Sequence, residues 1–167
     1  MSIFTIGHSN HSLARFLELV SQASIATVID VRSQPVSRWV PHFNRPALTA
    51  ALAERGIGYV FMGRELGGRP RDPRLSKDGA PDYAAMSQSA AFQGGIEGVI
   101  ERGQNERIAL LCAERDPVDC HRFLLIGRAL AAKGVSVEHI LADGAEAQAA
   151  TELRQARKRP PKTPDLF

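Results

Sequence analysis

The chain has 167 residues, 44% of them hydrophobic, with 21 Lys and Arg against 18 Asp and Glu and a net charge of +3. A single domain of this length buries roughly 70% of the surface it exposes when unfolded, so it needs no disulfide or metal to fold, and its apolar content excludes a disordered chain. No apolar run approaches the ~20 residues of a membrane span, the opening MSIFTIGHSN lacks the regions of a secretory signal, and two cysteines suit a reducing compartment. The expectation is a cytoplasmic chain with no membrane association.

Ser2–Gly7 is apolar and β-branched and breaks at glycine, which predicts a strand and then a loop. Ser12 is the predicted N-cap of a helix whose Leu13, Phe16, Leu17 and Val20 share one face. Ala26–Val31 is a nearly continuous apolar run, the pattern of a strand buried on both sides. Two prolines make Arg32–Phe43 a loop; Pro46 opens a helix that runs to about Arg55 and ends at Gly56. Tyr59–Met62 is the third strand. Gly63–Pro81 is rich in Gly, Pro and charge, and so long a loop in a compact domain is functional or disordered. Tyr83–Arg102 reads as helix, weakened or split at Gly94 and Gly95. Arg107–Cys112 is the cleanest buried strand, and Asp119 is placed to cap a helix from Cys120 to about Lys133. Ser136–Leu141 is the last strand, Ala145–Arg157 a short helix, and the end of the chain is proline-rich.

Strands and helices alternate, which predicts an α/β fold: a single domain over residues 1–157 with a mostly parallel five-stranded sheet, helices on both faces and a Rossmann-like arrangement. Residues 158–167 form a basic, proline-rich tail. In open α/β sheets the binding crevice lies beyond the carboxyl ends of the strands, and every strand but the last is followed there by polar residues. The first delivers His8 and Ser9, the second Asp30 and Arg32, and the third leads to Gly67 and Gly68. The fourth delivers Cys112 and Glu114, and the next helix opens with Cys120, His121 and Arg122.

Asp30 and Arg32 stand two apart and share a face; they either close the strand end as a pair or present the arginine fork to an anion. His8 is either a loop imidazole bonded to backbone or a general acid–base. Cys112 is either a packed core thiol or a reactive group. Cys120 sits at a helix start, where the dipole with His121 and Arg122 favours thiolate. Backbone N–H groups there, together with Arg122, form an anion site. Glu114 adds a general acid–base. Cys112, Cys120, His121 and His8 together would supply four soft or borderline metal ligands, but the C-x7-C-H spacing lacks the paired C-x2-C knuckles of structural zinc and adjacent Cys and His seldom reach one ion, so no metal is assigned. No cofactor is identified.

Thr5–Ser9 (TIGHS), Val28–Ser33 (VIDVRS), Ser37–Phe43 (SRWVPHF), Leu66–Pro70 (LGGRP), Tyr83 and Leu110–Arg122 (LLCAERDPVDCHR) form an ordered series. It resembles a bacterial and archaeal family, domain of unknown function 488, from about residue 3 to residue 142. The resemblance implies an α/β fold and the same set of site residues, and supplies no reaction. Val28–Ser33 also looks like the V-I-D-V-R segment of rhodanese-type sulfurtransferases, although Cys112 and Arg122 lie too far apart for their tight nucleophile loop. The final Thr163–Phe167 (TPDLF) is similar to the Q-L-x-L-F peptides that dock on the bacterial sliding clamp, without their glutamine and first leucine.

Arg64, Arg69, Arg71 and Arg74 crowd the central loop and Arg154, Arg157, Lys158, Arg159 and Lys162 the end of the chain, either as solvated surface or as attraction for phosphates. The leading expectation is an enzyme acting on a phosphate-bearing substrate, a nucleotide or nucleic acid. His8, Asp30, Cys112 and Glu114 are its catalytic candidates. Ser9, Arg32, Gly67, Gly68, Cys120, His121 and Arg122 are its anion-binding candidates. The alternatives are a cysteine-based thiol or sulfur-transfer enzyme, and a binding module tethered to a DNA-processing protein partner through Leu166 and Phe167.

Overall fold

The computed structural model describes residues 1–158. In chain order these form β1 (Ser2–Gly7), α1 (Leu13–Gln22), β2 (Thr27–Asp30), α2 (Arg45–Glu54), β3 (Gly58–Phe61) and α3 (Gly63–Leu66). The two-residue strands β4 (Ser76–Lys77) and β5 (Ala80–Pro81) follow, then α4 (Tyr83–Gln88), α5 (Ala90–Asn105) and β6 (Ile108–Cys112). A wide helical segment leads into α6 (Arg128–Ala132), and β7 (Ser136–Leu141), β8 (Gly144–Ala147) and α7 (Gln148–Lys158) complete the order.

The main sheet has the order β3-β2-β6-β1-β7-β8. All its pairs are parallel except β7–β8. The sheet therefore has six strands where five were expected. The sixth comes from Gly144–Ala147, read from sequence as the start of a helix. Leu141 pairs with Gly144 across the two-residue turn Ala142-Asp143, and Gly144, at φ +154°, takes a backbone conformation that starts no helix. The order also departs from Rossmann-like. Counting only the parallel strands it runs 3-2-4-1-5, with β6 inserted between β2 and β1, instead of the 3-2-1-4-5-6 of dinucleotide-binding sheets. The insertion matters because it puts Cys112, at the end of β6, between the ends of β1 and β2.

All five residues of β6 are buried, as its unbroken apolar run requires. Alternate strand residues feed two cores. Ile6, Val28 and Leu111 pack with Phe16 and Val20 of α1 and Leu48 and Leu52 of α2. Ile3, Ile29 and Leu110 pack on the other side with Leu66, Ile96, Val99 and Leu130. Helices thus cover both faces. Ser12 caps α1 by accepting the Arg15 N–H at 3.1 Å. The expected Tyr83–Arg102 helix breaks at Ser89 and not at its glycines, because the Ser89 hydroxyl accepts the Phe92 N–H at 3.3 Å and starts α5 afresh.

The helix expected from Cys120 is entered through a turn at Pro117–Asp119, leaves Cys120 extended, and is wound as a π-helix over Arg122–Gly127. Gln148 explains the wide winding: its side chain reaches in from α7 and donates to the Phe123 carbonyl at 3.3 Å, in competition with the helix's own ladder. Wide turns of this kind recur at functional sites. Among the described residues no helix is long and apolar enough to cross a membrane.

Candidate functional site

The carboxyl ends of β1, β2 and β6 open into a pocket of about 660 Å³. The sheet ladder continues past the strands and fixes its floor. His8 N–H donates to the Cys112 carbonyl at 2.9 Å, Ser9 N–H to Ala113 at 2.9 Å and Val31 N–H to Leu111 at 3.0 Å.

On the β2 side, Asp30 is fully buried and holds Arg32, which is 5% exposed. The Asp30 carboxylate accepts from Arg32 Nε at 2.9 Å, Arg32 Nη2 at 2.6 Å and the Tyr59 hydroxyl at 2.6 Å. Arg32 Nη2 also donates to the Phe43 carbonyl at 2.8 Å. Burial, with Asp30 beside it, pushes the Tyr59 phenol well above its ordinary range, so it stays a neutral donor. With Nε and Nη2 committed, Nη1 is the part of the guanidinium left for the pocket that Arg32 lines.

His8 stacks on Phe43, ring centroids 4.6 Å apart. Its Nδ1 lies 2.8 Å from the Ser9 carbonyl, which only accepts, so the proton sits on Nδ1 and the lone pair on Nε2. Burial is the main cause that lowers its pKa.

On the β6 side, Cys112, Cys120 and His121 meet. Cys120 Sγ lies 3.3 Å from Cys112 Sγ, and His121 Nδ1 lies 3.6 Å from Cys112 and 3.9 Å from Cys120. His121 Nε2 is 3.1 Å from the Val31 carbonyl. The expected charge preference is reversed. The Cys120 thiol donates to Cys112, which with His121 and the Glu114 N–H holds the Cys112 thiol well below its usual pKa against burial. The same bond, burial and the neighbouring sulfur push Cys120 up. The Arg122 N–H and guanidinium at the helix start pull Cys120 the other way, but more weakly.

The expected reluctance of adjacent Cys and His to converge also fails here. The extended Cys120 and the wide turn at His121 swing both side chains inward, and the ligand atoms of Cys112, Cys120 and His121 lie within 4.8 Å of one another. His8 is not in that group.

Arg122 departs from its expected role as an anion holder. It is fully buried beneath the loop after β6 and is not on the pocket wall. Its Nη1 donates to Thr5 Oγ1 at 2.9 Å and its Nη2 to the Glu114 and Arg115 carbonyls at 3.2 and 2.8 Å. Spending its charge on main-chain oxygens, it supports the segment that joins Cys112 to Cys120. The chain of bonds continues from Thr5 to His139 Nδ1 at 2.7 Å and from His139 Nε2 to Gln148 at 2.9 Å.

A family model matches residues 12–129. The chain belongs to the family described as Domain of unknown function DUF488. The match spans Asp30 through Arg122 and leaves His8 and Ser9 just before it. No curated protein and no solved structure matches the chain.

In this DUF488 chain, seven of the expected site residues share the pocket wall: His8, Arg32, Gly68, Cys112, Glu114, Cys120 and His121. Asp30 lies behind Arg32. Ser9 sits outside the wall, accepting from Arg115 Nε at 3.2 Å. Gly67 packs against Ser33. Leu166 and Phe167 lie outside the described residues. Gly68 is glycine for a local reason: a Cβ there would stand 2.7 Å from the His121 ring. Gly7 likewise lets the Glu114 carbonyl come against β1, where a Cβ would overlap it.

The sequence reading gave no role to Trp39 or Arg38, which share the wall; Arg69 of the Arg-rich loop and Tyr83 of the motif series line it too. Trp39 is 79% exposed, with the Arg38 guanidinium 4.7 Å from its ring centroid. The signal was present: a lone tryptophan between two prolines, in no helical or strand period, has no core to enter.

Proposed function

We propose that this chain is an enzyme acting on a phosphate-bearing substrate, a nucleotide or nucleic acid, with the phosphate on Arg32. The observation that carries this reading is the clamp on Arg32: Asp30 and Phe43 hold Nε and Nη2 and leave Nη1 uncommitted on a residue that lines the pocket. A guanidinium so fixed loses little entropy on binding an oxyanion. Arg38 and Arg69 on the same wall add charge for a multiply charged group, against Glu114 and Asp119. The exposed Trp39 offers a flat face to a base, since base–aromatic stacking needs no sequence-specific contact. His8 supports a transfer or hydrolysis step: its Nε2 lone pair takes a proton from an attacking group and passes it to the leaving group, with Glu114 on the same pocket wall as the second group able to move a proton.

The test is equilibrium binding of inorganic phosphate, nucleoside phosphates and short oligonucleotides, read by thermal shift and calorimetry. Nucleotides should stabilise the protein, inorganic phosphate should compete, and Arg32→Lys should weaken binding by about tenfold or more through loss of the fork. If no nucleotide, phosphate or oligonucleotide shifts the melting temperature, the reading is wrong.

A further inference from the structure

We propose that Cys112, Cys120 and His121 bind a zinc-class divalent cation, with a fourth coordination position open to the pocket. The spacing of the donors is the first argument. The two sulfurs are 3.3 Å apart and the imidazole Nδ1 is 3.6 and 3.9 Å from them, so the three edges close into a triangle. A point equidistant from atoms so placed lies about 2.1 Å from each, close to the roughly 2.3 Å of Zn–S and 2.0–2.1 Å of Zn–N bonds.

The second argument is the hold on His121. Its Nε2 faces the Val31 carbonyl at 3.1 Å, and a carbonyl can only accept. In the neutral ring, the form that can ligate, the proton therefore sits on Nε2 and the Nδ1 lone pair faces the two sulfurs. Metal-binding histidines are oriented by this kind of partner on the outer nitrogen. Gly68 keeps the inner side of the ring clear, since a Cβ would stand 2.9 Å from Nδ1.

The third argument is Arg122, which follows His121 directly and braces the loop between the two cysteines. It is fully buried, and its Nε–H has no acceptor among the described residues. Cys120 is a sulfur beside Arg122, and as a thiolate on a metal it would be a stronger acceptor than a neutral thiol. Two thiolates, a neutral imidazole and a divalent cation also sum to a neutral buried centre, which avoids the cost of an isolated charge.

Thiolate and imidazole donors favour zinc over magnesium or calcium. All three residues line the pocket beside Arg32 and Glu114, so the remaining position faces the space assigned to substrate. Three protein ligands with an open fourth position is the pattern of catalytic zinc, where a bound water ionises near neutral pH. This inference goes beyond the phosphate reading and does not rest on it, because metal content is read with no substrate present.

The experiment uses the full chain, purified under reducing conditions without chelator after growth with added zinc. Elemental analysis should find about one zinc per chain. Cobalt exchanged into the site should give the visible bands of a tetrahedral ion and a thiolate charge-transfer band. Cys112→Ser and Cys120→Ser should each remove both the zinc and the spectrum. If either variant does not fold, the wild type still decides: bound zinc should slow iodoacetamide alkylation by about tenfold or more relative to chelator-treated protein. Folded, fully reduced protein that retains neither zinc nor cobalt overturns the proposal, as does zinc retained undiminished in both serine variants. A failed phosphate reading looks different: zinc bound as described, and no nucleotide response.

Discussion

Replacing Asp30 by Asn removes the charge that holds Arg32 while nearly preserving volume. In the native protein the carboxylate takes three hydrogen bonds, from Arg32 Nε and Nη2 and from Tyr59, in addition to the Arg32 backbone N–H at 3.1 Å. Asparagine leaves a guanidinium that is 5% exposed without its counter-charge. Breaking a buried pair by removing one partner costs about 3–5 kcal/mol, because the remaining charge cannot regain its water. For a chain of this size each kcal/mol lowers the melting temperature by roughly 2–4 °C, so the expected drop is roughly 6–20 °C. Urea titration of wild type, Asp30→Leu, Arg32→Met and the double variant Asp30→Leu/Arg32→Met closes a cycle, with Asp30→Asn measured beside it. The double variant should recover much of the loss, since an apolar pair has no charge to desolvate. It should also fold without an anchor for phosphate. An Asp30→Asn cost under about 1 kcal/mol, or a double variant as unstable as the sum of the singles, would refute the reasoning.

His139 gives a pH prediction: burial, with Arg122 nearby, lowers its pKa from 6.5 to about 4. The unfolded chain takes up this proton near pH 6.5 and the folded chain only near pH 4, so the contribution is complete above 6.5 and is lost as pH falls through that window. The loss amounts to about 3 kcal/mol, read as unfolding free energy against pH; His139→Gln should flatten the slope, and an equal slope in that variant assigns the effect elsewhere. Trp39→Ala should change stability by no more than about 0.5 kcal/mol, as exposed positions do, yet weaken nucleotide binding by about 1–3 kcal/mol in calorimetry. Unchanged affinity removes Trp39 from the binding surface. Gly68→Ala forces a methyl against the His121 ring and should cost about 1–3 kcal/mol and distort or abolish the cobalt spectrum; an unaltered spectrum means the loop yields without moving the imidazole.

The convergence at the strand ends was legible because buried strands announce themselves. Val28–Ile29 and Ile108–Cys112 are apolar throughout, so the polar residues that end or follow them are delivered to the rim. What periodicity does not carry is lateral order. Nothing in the spacing says that β6 slots between β2 and β1, and that placement is what makes Cys112 the neighbour of both His8 and Arg32. The misjudged site residues share a cause. Arg122 and Cys120 were read on an ordinary helix start, but that helix is wound wide, with Gln148, twenty-six residues beyond Arg122 in sequence, bonded to its Phe123 carbonyl, and Arg122 is held under the loop by Thr5 and by the Glu114 and Arg115 carbonyls. A long-range contact of this kind leaves no local trace. Tyr59 could be read only as a strand residue until Asp30 was placed beside it.

The account depends on an oxyanion meeting Arg32 at the mouth formed by β1, β2 and β6. A crystal structure of the protein soaked in phosphate tests this most directly. Phosphate oxygen about 3 Å from Arg32 Nη1, next to Cys112 and the His121 ring, is the predicted result. Phosphate bound elsewhere, with Arg32 turned away from the pocket or Cys112 remote from it, would contradict the account.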